Sequence, residues 1–169
     1  MLSSRHLFVA LVLTLVAACG FQPVYGPGGA GSILSNEVEY DAPATEESYI
    51  LVRELEQRLG RADTPLFHLA LTTTVTVDGQ AITAAGSITR FSMVGDVRYI
   101  LSRSDTGEEI ARGRVENFTG YSATGTTVAT LAAETDARER LMRILAEMLV
   151  TRLYTIPDMS DEIRSDMAG

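Results

Sequence analysis

The run Phe67-His-Leu-Ala-Leu-Thr-Thr-Thr-Val-Thr-Val77 decides the architecture. Phe67, Leu69, Leu71, Thr73, Val75 and Val77 share one parity, and His68, Ala70, Thr72, Thr74 and Thr76 share the other. Period-two alternation of this length predicts a long half-buried strand with a threonine-rich second face. A second such strand follows, with Phe91, Met93, Gly95, Val97, Tyr99 and Leu101 set against Arg90, Ser92, Asp96 and Arg98. Ser104-Asp-Thr-Gly107 is hairpin-turn chemistry. Ile110 to Tyr121 then supplies an antiparallel partner, with Arg112, Arg114 and Glu116 on one parity and Ala111, Gly113 and Val115 on the other.

Outward from these strands the signals change. Ile33 to Tyr40 predicts a first strand, and Asp41 to Ser48 reads as a turn with Ser48 as helix N-cap. Leu51, Val52, Leu55 and Leu59 recur at helical spacing, Glu54 and Arg58 sit at i, i+4, and Gly60 stops the helix. Asp78-Gly79 signals a turn, with a loop over Gln80 to Ser87. Gly120 to Thr130 reads as a small-residue loop. Leu131 to Tyr154 is the strongest helix, with Leu141, Ile144, Leu145, Met148, Leu149 and Leu153 on one broad face, and Asp136–Arg140 and Glu139–Arg143 as pairs on its wet side. The order strand-helix-strand-strand-strand-helix predicts an α+β two-layer sandwich, a mostly antiparallel four-stranded sheet with two helices on one face. The other face carries threonines and arginines.

The chain has 169 residues, 46% of them hydrophobic, enough for one domain with a core. All 14 cations are arginine against 22 acids, a net charge of −8 that argues against nucleic-acid binding. One cysteine and two histidines exclude an intramolecular disulfide and a multi-His or Cys metal cage.

Met1 to His6 carries Arg5, and Leu7 to Val16 is an apolar run. Ten such residues rise only about 15 Å as a helix, too short to span a membrane. Val16-Ala17-Ala18 then precedes the single cysteine, Cys19. A charged start, short apolar run and small residues read as a secretory signal, and the junction resembles a bacterial lipobox. Lipidation of Cys19 is therefore expected, with a diacylglycerol and an N-acyl chain as a firm tether. Gly20 rather than Asp after it implies, by resemblance to enteric lipoprotein sorting, the outer membrane. The expected division is a signal peptide over 1–18, a lipidated Gly/Pro-rich linker over 19–31, the α+β domain over 32–156 and a loose acidic tail over 157–169.

Ala18-Cys19-Gly20-Phe21-Gln22-Pro23, the element order, and the run from Gly86 to Tyr99 together resemble the LptE family. The resemblance spans Cys19 to Leu153. It implies an outer-membrane, periplasm-facing lipoprotein that sits as a plug inside an LptD-like β-barrel, assists its assembly, and takes part in delivering lipopolysaccharide to the outer leaflet. No catalysis and no cofactor beyond the covalent lipid are implied. A barrel lumen is polar, so the threonine and arginine face is the expected docking surface. Arginine suits bidentate phosphate binding, and Arg90, Arg98, Arg103, Arg112 and Arg114 are the candidate contacts to partner or lipopolysaccharide phosphates. The competing expectation for each is a solvated strand arginine paired with a neighbour such as Asp96 or Glu116. Thr83 to Ser87 and Thr124 to Ala133 contain no basic residue, unlike enteric members, so the barrel partnership is implied more strongly than direct lipopolysaccharide contact.

Two other classes compete with this reading. An auxiliary lipoprotein of another envelope lipid-transport system would share leader, size and fold class. An anchored hydrolase would have only His68 as an imidazole after cleavage, and the chain holds no nucleophile elbow, H-E-x-x-H or phosphate-cradling loop. A lone strand histidine reads as structural.

Overall fold

The computed structural model describes residues 30–82 and 88–156. The expected signal peptide, Cys19, most of the expected linker and the acidic tail lie outside the described residues. The elements run α1 (Ala30–Ile33), β1 (Val38–Tyr40), α2 (Glu46–Leu59), β2 (Phe67–Ile82), β3 (Ile88–Arg103), β4 (Glu109–Ser122) and α3 (Thr127–Tyr154).

The four strands lie side by side in chain order. β2, β3 and β4 pair antiparallel, with Leu69 opposite Leu101 and Val97 opposite Val115. β1 pairs parallel to β2, Val38 opposite Phe67 and Tyr40 opposite Leu69, so the sheet is mixed. The reason is connectivity: β1 and β2 are joined through a helix, and such a crossover returns the chain in its original direction. β1 is also shorter than expected, because Ala30–Ile33 forms a helical turn where the linker should end and the strand begin.

Both helices cover one sheet face. Leu69, Met93, Val97 and Leu101 from the strands meet Leu51, Leu55 and Leu59 of α2 and Leu141, Leu145, Leu149 and Leu153 of α3 in one cluster. Each of these side chains is almost wholly buried, and burying one contributes about 1.5–3 kcal/mol. Gly95 lets α3 come close. A Cβ there would stand 2.7 Å from Leu145 Cδ1 and 3.0 Å from Leu141 Cδ2.

The helix ends differ in detail from expectation. Thr45, not Ser48, caps α2: its hydroxyl accepts from the Ser48 backbone N–H, while the Ser48 hydroxyl accepts from the Thr45 backbone N–H. Glu46 and Glu47 then occupy the positive first turn. Gly60 ends α2 at φ 81°, as its sequence position predicts. α3 starts at Thr127, capped by Thr126, so most of the expected 120–130 loop belongs to β4 and the helix. Asp136 pairs with Arg140, whereas Arg143 reaches across to Glu54 at 4.0 Å. β2 also runs past Asp78-Gly79. These residues pair with Ser92 and Phe91, and the irregularity falls in the register beyond Gly79.

Candidate functional site

The outward parity of β2, β3 and β4 forms a grid whose rows follow from the register. One row is Thr72, Arg98 and Arg114; the next is Thr74, Asp96 and Glu116; the third is Thr76, Val94 and Phe118. Ile100 and Arg112 lie side by side on the near side of the first row. A shallow cleft of about 360 Å³ is lined by Thr72, Thr74, Thr76, Val94, Asp96, Arg98, Arg114 and Glu116. Its position over β2 is set by residue size: threonine side chains are short, and the longer charged chains of β3 and β4 stand up beside them.

The cations of this face are paired. Asp96, whose side chain is 19% exposed, receives both Arg114 and, at 3.6 Å, the Nε of Arg98. Arg114 also donates to Glu116, and Arg112 to Glu109. The bond from Arg112 holds the Glu109 carboxyl below its ordinary value, and the bonds to Glu109 and Asp96 push Arg112 and Arg114 up. Three arginines and three acids balance locally. Surface pairs of this kind add little to stability, so they can be exchanged for a partner's groups at little cost. The side chain of Arg98 is 72% exposed and that of Arg112 71%.

Of the five expected contact arginines, Arg98, Arg112 and Arg114 share this face, and Arg90 lies on the same parity at the far end, opposite Ser122. Arg103 does not belong with them. It has the opposite parity and binds Asp105 of the hairpin turn through two bonds of 3.1 and 3.0 Å. His68 faces outward near the β1 edge, its Nε2 3.1 Å from Asp41 Oδ1, and the other Asp41 oxygen accepts the Leu71 N–H. The pair ties the end of β1 to β2.

Sequence parity missed one feature in plain sight. Phe118 shares the parity of Arg112, Arg114 and Glu116 and stands 68% exposed. With half-buried Val94 beside it and Ile100 41% exposed on the same face, it puts apolar surface among the ion pairs. Alternation alone carried that signal: an aromatic on the polar parity of a strand has no core to enter. An aromatic set among balanced charges is how the anchor points of protein interfaces are composed.

The model of the LptE family, described as lipopolysaccharide-assembly, matches residues 32–153. The chain belongs to the LptE family. Solved structures with the same fold include a protein from Caulobacter crescentus CB15 that carries a lipoprotein designation, at TM-score 0.61 and 24% identity, covering 75% of this chain and 93% of that one. Rare lipoprotein B from Shewanella oneidensis aligns at TM-score 0.54 and 12% identity, over 77% and 97% of the two chains. A minor lipoprotein from Acinetobacter baumannii aligns at 0.53 and 13%, over 72% and 92%. No protein of curated function matches the sequence at a significant level. Among the described residues of this LptE-family chain, no helix is long and apolar enough to cross a membrane.

Proposed function

We propose that this LptE-family chain is an outer-membrane lipoprotein, anchored through Cys19, that binds the LptD β-barrel through the outer sheet face. In that complex it plugs the barrel and helps assemble it for insertion of lipopolysaccharide into the outer leaflet, without catalysis of its own. The observation that carries the reading is the family match over a domain whose two sheet faces are so unlike. Helices take the apolar load on one side. The other side offers exchangeable ion pairs, a threonine row and one exposed aromatic to a polar lumen wall.

A plug of this kind holds by many modest contacts, each charge-assisted bond contributing about 1.5–3 kcal/mol. Arg98→Ala should therefore weaken association only in part. Reversal of Arg98, Arg112 and Arg114 together to Glu should abolish it, because like charges then face each other in a confined space. Phe118→Ser leaves every charge in place and should also reduce recovery. The test is co-purification of tagged full-length protein with the barrel from detergent-solubilised outer membranes, with thermal unfolding of each variant as the check on folding. Failure of the wild-type chain to recover the barrel rejects the reading. Full recovery by the folded triple variant rejects this face as the docking surface. Labelling with a fatty-acid probe, lost in Cys19→Ala, tests the anchor.

A further inference from the structure

We propose that β2 from Thr73 to Val77 receives an extended segment of a second, different protein as an added strand, laid in line with β1. The direction of the peptide groups carries the proposal. The Phe67 N–H donates to the Glu37 carbonyl, the Leu69 carbonyl accepts from Asp41 N–H, and the Leu71 N–H donates to Asp41 Oδ2. On the opposite side, the Leu66 carbonyl accepts from Ser104 N–H. Odd-numbered residues of β2 thus turn their peptide groups toward β1, and even-numbered ones toward β3. β1 stops at Tyr40. From there on, the N–H and C=O groups of Thr73, Val75 and Val77 face a lane that no strand fills among the described residues.

Three further observations concern the same lane. First, it carries none of the usual guards of an open edge: from Leu69 to Val77 there is no charge and no proline. Second, the lane opens from a cleft of about 380 Å³, lined by Asp41 to Thr45, Ser48, Val52 and Leu71 to Thr73. The Thr73 hydroxyl at this point is buried without a hydrogen-bond partner among the described residues. Third, apolar side chains continue past the end of α2. α2 begins at Glu46, above the cleft that Leu71 to Thr73 line, and leaves the rest of β2 uncovered. Val77 is accordingly 43% exposed.

These features specify the occupant. It is extended and uncharged over about five residues, with apolar side chains toward Val75 and Val77 and small polar ones toward Thr72, Thr74 and Thr76. The chain's own ends do not suit. Asn36, just after α1, bonds the Leu59 carbonyl at the opposite end of the sheet, and α3 runs toward that same end, with Glu147 beside Arg58. The segment beyond Ile156 is also acidic, with Asp158, Asp161, Glu162 and Asp166, whereas the lane holds no cation. A second copy suits no better. Antiparallel pairing of two such edges sends the two N-terminal ends in opposite directions, against the single membrane that the Cys19 anchor proposed above requires.

The test is amide hydrogen exchange on the full-length protein in detergent, with and without a short peptide that alternates valine and threonine between terminal lysines. The peptide should slow exchange of Thr73, Val75 and Val77 by about tenfold or more, while Thr72, Thr74 and Thr76, already bonded to β3, stay unchanged. The same peptide N-methylated along its bonding edge should give no protection. Val75→Pro should abolish the effect, since it removes a peptide N–H that points away from β3; the N-methylated peptide makes the same point on the unaltered chain. Absence of peptide-induced protection overturns the proposal. So does protection already present without peptide: at all concentrations it assigns the lane to the chain itself, and only at high concentration to a second copy.

Discussion

Leu69 and Val77 lie on one strand, on one face, eight residues apart, and live in different surroundings. Leu69 is wholly buried in the core and flanked by β1 and β3, whereas Val77 is 43% exposed with a strand on one side only among the described residues. The strand itself does not change between them. What changes is the cover: α2 is 14 residues long and lies over the first part of a 16-residue strand, and β1 contributes only three residues beside it. A strand rises about 3.3 Å per residue and a helix 1.5 Å, so a helix of similar residue count covers less than half the strand. The near end of β2 is therefore core and its far end surface, while Met93, opposite Val77 on β3, stays buried.

Truncation at the two ends should break the strand's symmetry most visibly. Leu69→Ala, and likewise Leu145→Ala on the helix above, should cost about 2–5 kcal/mol in chemical unfolding, while Val77→Ala should cost no more than about 1. Equal losses at positions 69 and 77 would mean that the far end is covered too. Gly95→Val sits between the two regimes. Its branched side chain must displace Leu141 and Leu145, and a loss of about 1–3 kcal/mol is expected from thermal or denaturant melts.

Thr45→Ala sharpens the comparison at the point where cover stops. It removes the cap of α2 and should cost about 1 kcal/mol, with the largest rise in amide exchange confined to the first turn of that helix. The smallest effect belongs to the hairpin at the near end. The Arg103 guanidinium beside Asp105 holds its carboxyl down from 3.8 to about 2. The stabilisation is therefore complete above about pH 4 and disappears as pH falls toward 2. Carboxyl NMR titration should place Asp105 at the low value in the wild type and return it to the ordinary range in Arg103→Ala.

Strand parity was legible because it depends on one face being buried, and every inward residue of β3 from Met93 to Leu101 lies where alternation puts it. The Ser104–Gly107 turn and the Gly60 stop were legible because their chemistry is local. Asp78-Gly79 misled for the opposite reason. The dipeptide favours a turn, but pairing with Ser92 and Phe91 keeps it in the ladder, and that pairing belongs to residues more than ten positions away. The cap of α2 was misplaced by three residues because Thr45 and Ser48 form a reciprocal pair, and either could be read as the cap. On the outer face, the ion pairs of Arg98 and Arg114 with Asp96 followed from shared parity. The distinct role of Arg103 did not, since a turn partner two residues on outweighs its place on the strand. The open lane beside Thr73 was beyond reach, because a sequence does not state how far a neighbouring strand extends.

α3 supplies eight of the buried residues, from Ala137 to Leu153, and it is the last described element of the chain. A polypeptide delivered N-terminus first can pair β2, β3 and β4 as each emerges, since each hairpin is local. Its sheet then waits with Met93, Val97 and Leu101 bare until Leu141 and the turns after it arrive. Completion of the fold is thus timed by the emergence of α3 rather than by the sheet. A chain stopped after Arg140 would lose most of the core's lid, Leu141 to Leu153, and leave the inner sheet face open to water.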